Sequence, residues 1–339
     1  MLLLALAAAA ARGAQGEWDL SAELGGGHDT NPERIAGPGA APEGFAAALA
    51  RARGALDGER FRLSARLTGG ARLYPGRPGA DALAGRLEAD LRRELSGPLA
   101  AAAELDASGL AERGHRLDQR ALRAQAGLRW DPGRWSASLA GGWALFEPLG
   151  AELRPFRASG PELWLRGTGS PARGHVLSAG LGLWSAGYPG WPEAAQARRR
   201  DDTFTAMAEY AWRGPLLASL SYAWSSNRST ARGGAFERHR VTARGAAFLP
   251  LDLSLALRVS LQWTRYPEPL FLAQQLLAGG GESQDAVEAR LVRPLGGSLE
   301  LALSFARYWS ESVSGGAAPG FSRSVTSLTL GWRGGSGDR

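Results

Sequence analysis

The chain has no cysteine, no lysine, a single isoleucine (Ile35), two methionines and four histidines. Without thiols there is no disulfide framework, no thiolate metal site and no cysteine nucleophile. The histidines, His28, His115, His175 and His239, are scattered. None has an HExxH or paired ligand spacing, so no metal and no cofactor is expected. Ser178 lies near His175 but lacks a third partner for a hydrolase triad, which argues against an enzyme. No phosphate loop or dinucleotide fingerprint is present, and the arginine content is generic, so no nucleic-acid partner is expected. Past the first residues no apolar run reaches the ~18 that a membrane helix needs. A mean hydropathy of -0.20 excludes a helical membrane bundle. With 44% hydrophobic and 21% charged residues, the chain is not a disordered one either.

What is present begins with MLLLALAAAAARGAQG, a short apolar run followed by small residues. It reads as an export signal over 1–14, without the usual basic n-region. Export without cysteine suits a bacterial envelope protein. All 39 basic residues are arginine, and the net charge of +6 is modest for 339 residues.

The dominant pattern over the rest is a period of two. Phe61, Leu63, Ala65, Leu67, Gly69, Ala71 and Leu73 share one parity; Arg62, Ser64, Arg66, Thr68, Gly70 and Arg72 share the other. The pattern returns at Leu253–Trp263 and at Leu122–Trp130. Such a strand has one oily and one wet face. Short turn-rich connections, such as Asp57-Gly58, Ser96-Gly97-Pro98, Asp131-Pro132-Gly133 and Pro250-Leu251-Asp252, alternate with long Gly/Pro-rich ones. That rhythm predicts an all-β, up-and-down, transmembrane antiparallel barrel over 15–333 with a polar tail at 334–339. The segments predict sixteen strands, near 17–26, 45–56, 60–74, 82–95, 99–111, 119–130, 135–146, 160–168, 175–185, 202–212, 216–225, 238–249, 253–265, 284–293, 298–309 and 322–332. Ala-rich 44–56 and the four-residue spacing of Leu83, Leu87, Leu91 and Leu95 also fit a helical hairpin, which would leave fourteen or twelve strands. An even number places both termini on the periplasmic side.

Nine tryptophans fall on the apolar parity: Trp18, Trp130, Trp135, Trp212 and Trp332 near short turns, and Trp143, Trp224, Trp263 and Trp309 toward long loops. Indole rings favour the lipid headgroup zone, so these predict two aromatic girdles. In lipid every backbone polar group needs an internal partner, and closing the sheet supplies it. The charged parity then faces a wet interior.

The rhythm, the Trp belts and the segment Ser324–Trp332 give the chain its resemblance to Gram-negative outer-membrane β-barrel proteins of porin-like size. The turn His28-Asp29-Thr30-Asn31-Pro32 is similar to a D-x-N-P turn found near the start of such barrels. The resemblance implies an outer-membrane location, lipid contact and delivery by the barrel-assembly machinery, which reads a terminal aromatic strand; here a tail follows Trp332.

On the wet parity, Arg62, Arg66, Arg86, Arg92 and Arg123 interleave with Glu88, Asp90, Glu104 and Asp106. Arg238, Arg240, Arg244, Arg258 and Arg290 form a second patch with Glu288 and Glu300 nearby, and its 238–244 part has fewer acidic neighbours. These are the pore-lining candidates. They read as a wall that sorts solutes by charge or as cross-strand bracing. Asp29 and Asn31 read as an Asx turn or, less readily, as cation ligands. Arg198, Arg199 and Arg200 read as a solvated loop run, and apolar 267–283 as a constriction, plug or rim helix. The expected function is a channel for small polar or anionic solutes. The alternative is a non-enzymatic barrel subunit of an envelope machine for polysaccharide export, motility or secretion, with partner subunits.

Overall fold

In the computed structural model the described residues are 15–32, 41–114, 118–149, 151–191, 198–231, 234–265, 285–309 and 322–336. They form sixteen strands: β1 Gln15–Asp29, β2 Glu43–Asp57, β3 Phe61–Leu73, β4 Ala82–Ser96, β5 Leu99–Glu112, β6 Gln119–Trp130, β7 Trp135–Pro148, β8 Ala158–Gly169, β9 His175–Gly187, β10 Arg200–Arg213, β11 Leu217–Ser229, β12 Phe236–Leu249, β13 Leu253–Arg265, β14 Asp285–Gly296, β15 Leu299–Trp309 and β16 Ser322–Gly335. Each pairs antiparallel with its chain neighbours, and β1 pairs with β16, so the sheet closes into a barrel. All sixteen expected strands are present.

The helical hairpin is overturned. β2 is laddered to β1 along its whole length and to β3 from Ala46 to Asp57, and β4 is laddered to β3 and β5. A spacing of four is an even number, so Leu83, Leu87, Leu91 and Leu95 share one face of a strand as readily as one face of a helix. Most boundaries also move by one to four residues: β1 runs to Asp29, β11 to Ser229 and β16 past Arg333 to Gly335, and β8 begins at Ala158.

Short turns and both strand termini lie at one end of the barrel, hereafter the turn end; the long connections lie at the other, the loop end. Gly97, Gly133, Gly174, Gly296 and Gly297 take positive φ at turn-end connections, and so do Leu251 (φ 66°) and Asp252 (φ 58°).

The outer face carries the apolar parity. Leu24 is 67% and Leu83 62% exposed, and they are two of dozens of such side chains. Each Leu left in water rather than buried forgoes about 1.5–3 kcal/mol. A belt of this size is stable only against lipid. A strand of 13 residues, such as β3, rises about 43 Å along its axis; tilted by about 45° it still exceeds the ~25 Å apolar band of such barrels. All nine girdle tryptophans stand on this outer parity. Trp143 and Trp224 sit short of the loop-end tips of their strands, which run on beyond them.

The inner face is identified by ion pairs that skip strands. Glu23 of β1 reaches Arg290 of β14 at 3.0 Å, and Glu104 of β5 reaches Arg166 of β8 at 2.7 Å. Only the concave side allows such chords. A small apolar cluster of Phe45, Tyr74, Ala80 and Val325 sits inside the loop end.

Candidate functional site

The candidate site is the inner wall of the barrel. Register places Arg62, Arg66, Arg86, Glu88, Asp90, Arg92, Glu104, Asp106 and Arg123 on one continuous inward parity of β3–β6. Arg238, Arg240, Arg244, Arg258 and Arg290 share the inward parity of β12–β14.

The two groups differ in how their charge is met. On β3–β8 the arginines are paired: Arg62 with Asp57 (3.5 Å), Arg66 with Glu88 (3.3 Å), Arg86 with Asp106 (2.7 Å) and Glu88 (3.0 Å), and Arg92 with Asp131 (3.3 Å). Arg123 pairs with Glu162 at 3.0 Å. Asp90 faces Ser64 and Glu104 across the ladders. The chords from β6 and β8 meet above β7, whose inward residues Ser138, Ala140, Gly142 and Ala144 are small. A Cβ on Gly142 would come 2.0 Å from the Ala124 carbonyl oxygen, so only glycine lets the strands approach here. Trp164, which donates to Glu162 at 3.2 Å, lies under the guanidinium groups of Arg123 and Arg166. On this half the charges are met within the wall.

The β12–β13 half is different. Arg238 donates to Thr264 Oγ1 (3.3 Å) and Arg240 to Gln262 Oε1 (2.9 Å), both neutral. Arg244 faces Arg258 directly in register, with Ser219 on its other side. Like charges directly opposite destabilise a sheet. Arg258 has Glu288 at 3.5 Å, and Arg290 has Glu23 and Glu300. Arg244 has no ion pair among the described residues.

Several inward residues went unnamed in the sequence reading: Glu23, Arg51, Arg53, Glu162, Trp164, Arg166, Trp184, Glu209, Arg213 and Arg323. Parity alone would have found them. Trp164 lies between outward Leu163 and Leu165.

At the loop end, Asp29 accepts from the Asn31 backbone N–H at 3.0 Å, the Asx-turn arrangement. Its fully buried carboxylate is also met by Arg323 Nε at 3.0 Å and the Tyr74 hydroxyl at 2.7 Å, so it is committed to protein donors rather than offered to a cation. Burial, and then the bond to Asp29, hold the Tyr74 phenol above the usual tyrosine range. The reading of Arg198–Arg200 as a solvated run fails for its middle member. Arg199 is buried between the Tyr188 and Trp191 rings (4.2 and 4.8 Å) and bonds Asp201 at 2.7 Å. Burial pushes the Tyr188 phenol well up. His175 points outward to the Tyr210 hydroxyl while Ser178 points inward, so the two never form a catalytic pair. No group of three metal-ligating side chains occurs among the described residues. His115, segment 1–14 and 267–283 lie outside the described residues.

No protein-family profile matches the chain, and no curated protein matches it. Solved structures do. OccK2 (OpdF) of Pseudomonas aeruginosa in complex with glucuronate matches at 14% identity over 95% of this chain and 98% of that one, with a TM-score of 0.49. A bacterial polysaccharide outer membrane secretin matches at 7% identity over 94% and 98%, TM-score 0.47. OccAB3 of Acinetobacter baumannii matches at 9% identity over 95% and 99%, TM-score 0.47. At such identities the likeness is one of architecture alone.

Proposed function

We propose that this protein is a porin-like outer-membrane channel, not an enzyme, that passes small polar and anionic solutes. The observation that carries the reading is the asymmetry of the inner wall. One half pairs its arginines with carboxylates, whereas on the β12–β13 half Arg244 faces Arg258 and has no ion pair among the described residues. A sixteen-stranded ring is wide enough for an aqueous path. An unpaired arginine such as Arg244 along such a path raises the local anion concentration, more strongly at low salt. In this reading the turn end and both termini face the periplasm, the girdles contact outer-membrane lipid, and the barrel-assembly machinery inserts the chain through β16.

The test is reconstitution in a planar bilayer under a salt gradient. Stepwise current with a reversal potential on the anion-selective side is expected. Changing Arg238, Arg240 and Arg244 together to Glu should move the reversal potential toward cation preference. A silent bilayer refutes the channel; an unmoved reversal potential removes these arginines from the selectivity wall.

A further inference from the structure

An inner cavity of about 710 Å³ runs along β10–β16. Most charges on its lining are already matched: Arg290 by Glu23 and Glu300, Arg258 by Glu288, and Arg72 by Asp29 at 3.8 Å. Three are not. Glu209, Arg213 and Arg244 line the same cavity and have no ion pair or side-chain hydrogen bond among the described residues.

Register fixes their arrangement. On β10, Glu209 faces Ser221, Ala211 faces Ser219 and Arg213 faces Leu217 of β11; Ser219 in turn faces Arg244 of β12. Arg244 therefore lies in the row of Ala211, between the rows of Glu209 and Arg213. It is two strands away from them, roughly 9–10 Å across the wall. The inward residues in the gap, Ala211, Ser219 and Ser221, are small. They keep one carboxylate and two guanidiniums apart, over an open floor bearing hydroxyls, although opposite charges on neighbouring strands ordinarily pair.

We infer that this cavity is a subsite for small zwitterions of the amino-acid type. Arg244 and Arg213 take the solute carboxylate in charge-assisted bonds, Glu209 takes its ammonium, and Ser219 offers a hydroxyl between them. Passage of such a solute rests on the channel reading above; binding does not.

The test uses the full chain and three probes: alanine, propionate (no ammonium) and ethylamine (no carboxylate). Binding is measured by calorimetry in detergent, and occupancy by reduction of the ion current in a bilayer. Alanine should bind and reduce current at about tenfold lower concentration than either analogue. Glu209→Gln should bring alanine down to the level of propionate, and Arg244→Gln should weaken alanine and propionate together. Heat-modifiable mobility on gels confirms that each variant is folded. Equal affinity of the unaltered protein for alanine and propionate overturns the subsite. So does an alanine-to-propionate ratio that Glu209→Gln leaves untouched. A bilayer without current, with the calorimetric preference intact, overturns the channel and keeps the subsite. Current without the preference does the reverse.

Discussion

Replacing Asp29 with Ala should weaken the barrel far more than removing any pair on the exposed wall. The Asp29 side chain is 0% and Arg323 9% exposed. Asp29 receives Arg323 Nε at 3.0 Å, the Tyr74 hydroxyl at 2.7 Å and the Asn31 N–H at 3.0 Å. Its loss leaves a buried guanidinium without a counter-charge. Breaking one side of a buried ion pair costs about 3–5 kcal/mol. Arg66 and Glu88 are 53% and 31% exposed, so Glu88→Ala should cost no more than about 1 kcal/mol. Urea unfolding in detergent, followed by tryptophan fluorescence and by heat-modifiable mobility, gives the free energies. The decisive variant is the double one. If Asp29 and Arg323 stabilise chiefly by compensating each other, Asp29→Ala with Arg323→Ala should cost about what either single change costs, a coupling of at least ~2 kcal/mol. Additive losses within ~0.5 kcal/mol, or a single Asp29→Ala cost below ~1 kcal/mol, would refute the reasoning.

Two further outcomes follow from the connections. Leu251 holds φ at 66° in the β12–β13 turn, a conformation that disfavours residues with a bulky side chain but that asparagine tolerates. Leu251→Asn should stabilise the barrel by about 0.5–1 kcal/mol relative to Leu251→Ala; equal urea midpoints would show that the turn is unstrained. The Tyr188 phenol is pushed up mainly by burial, so the folded state holds this proton more tightly than the unfolded chain. The stabilisation it brings is complete below the ordinary tyrosine range and is lost as pH rises above it. In an absorbance titration at alkaline pH, the Tyr188→Phe difference spectrum should locate a late-ionising phenol. A Tyr188 that ionises in the ordinary tyrosine range would contradict the buried clamp.

The period of two carried most of the fold because a barrel with a polar interior and an apolar exterior writes both its faces into the chain. Outward Leu67 and inward Arg66 are adjacent residues with opposite solvents. Even the ambiguous leucines of β4 obey the same parity once the ladders on both sides are seen. The charged wall was legible as two patches. Which charges meet was not, because strand tilt and stagger decide it. Arg166 finds Glu104 across two intervening strands, and Glu23 finds Arg290 across the junction of β1 and β16. The unmatched trio of Glu209, Arg213 and Arg244 stayed invisible for the same reason, since a lone charge is defined by what fails to come near it. The burial of Arg199 depended on Tyr188 and Trp191 folding back from the β9–β10 connection, which no local periodicity records.

The pairing of β1 with β16 has a consequence for biogenesis. Until the final segment arrives, the first strand has nothing to bond along its free side, and every shorter intermediate presents two raw margins to an oily medium that cannot hydrate them. Sealing this junction, with the Asp29–Arg323 pair beside it, removes the last two unbonded margins of the sheet at once.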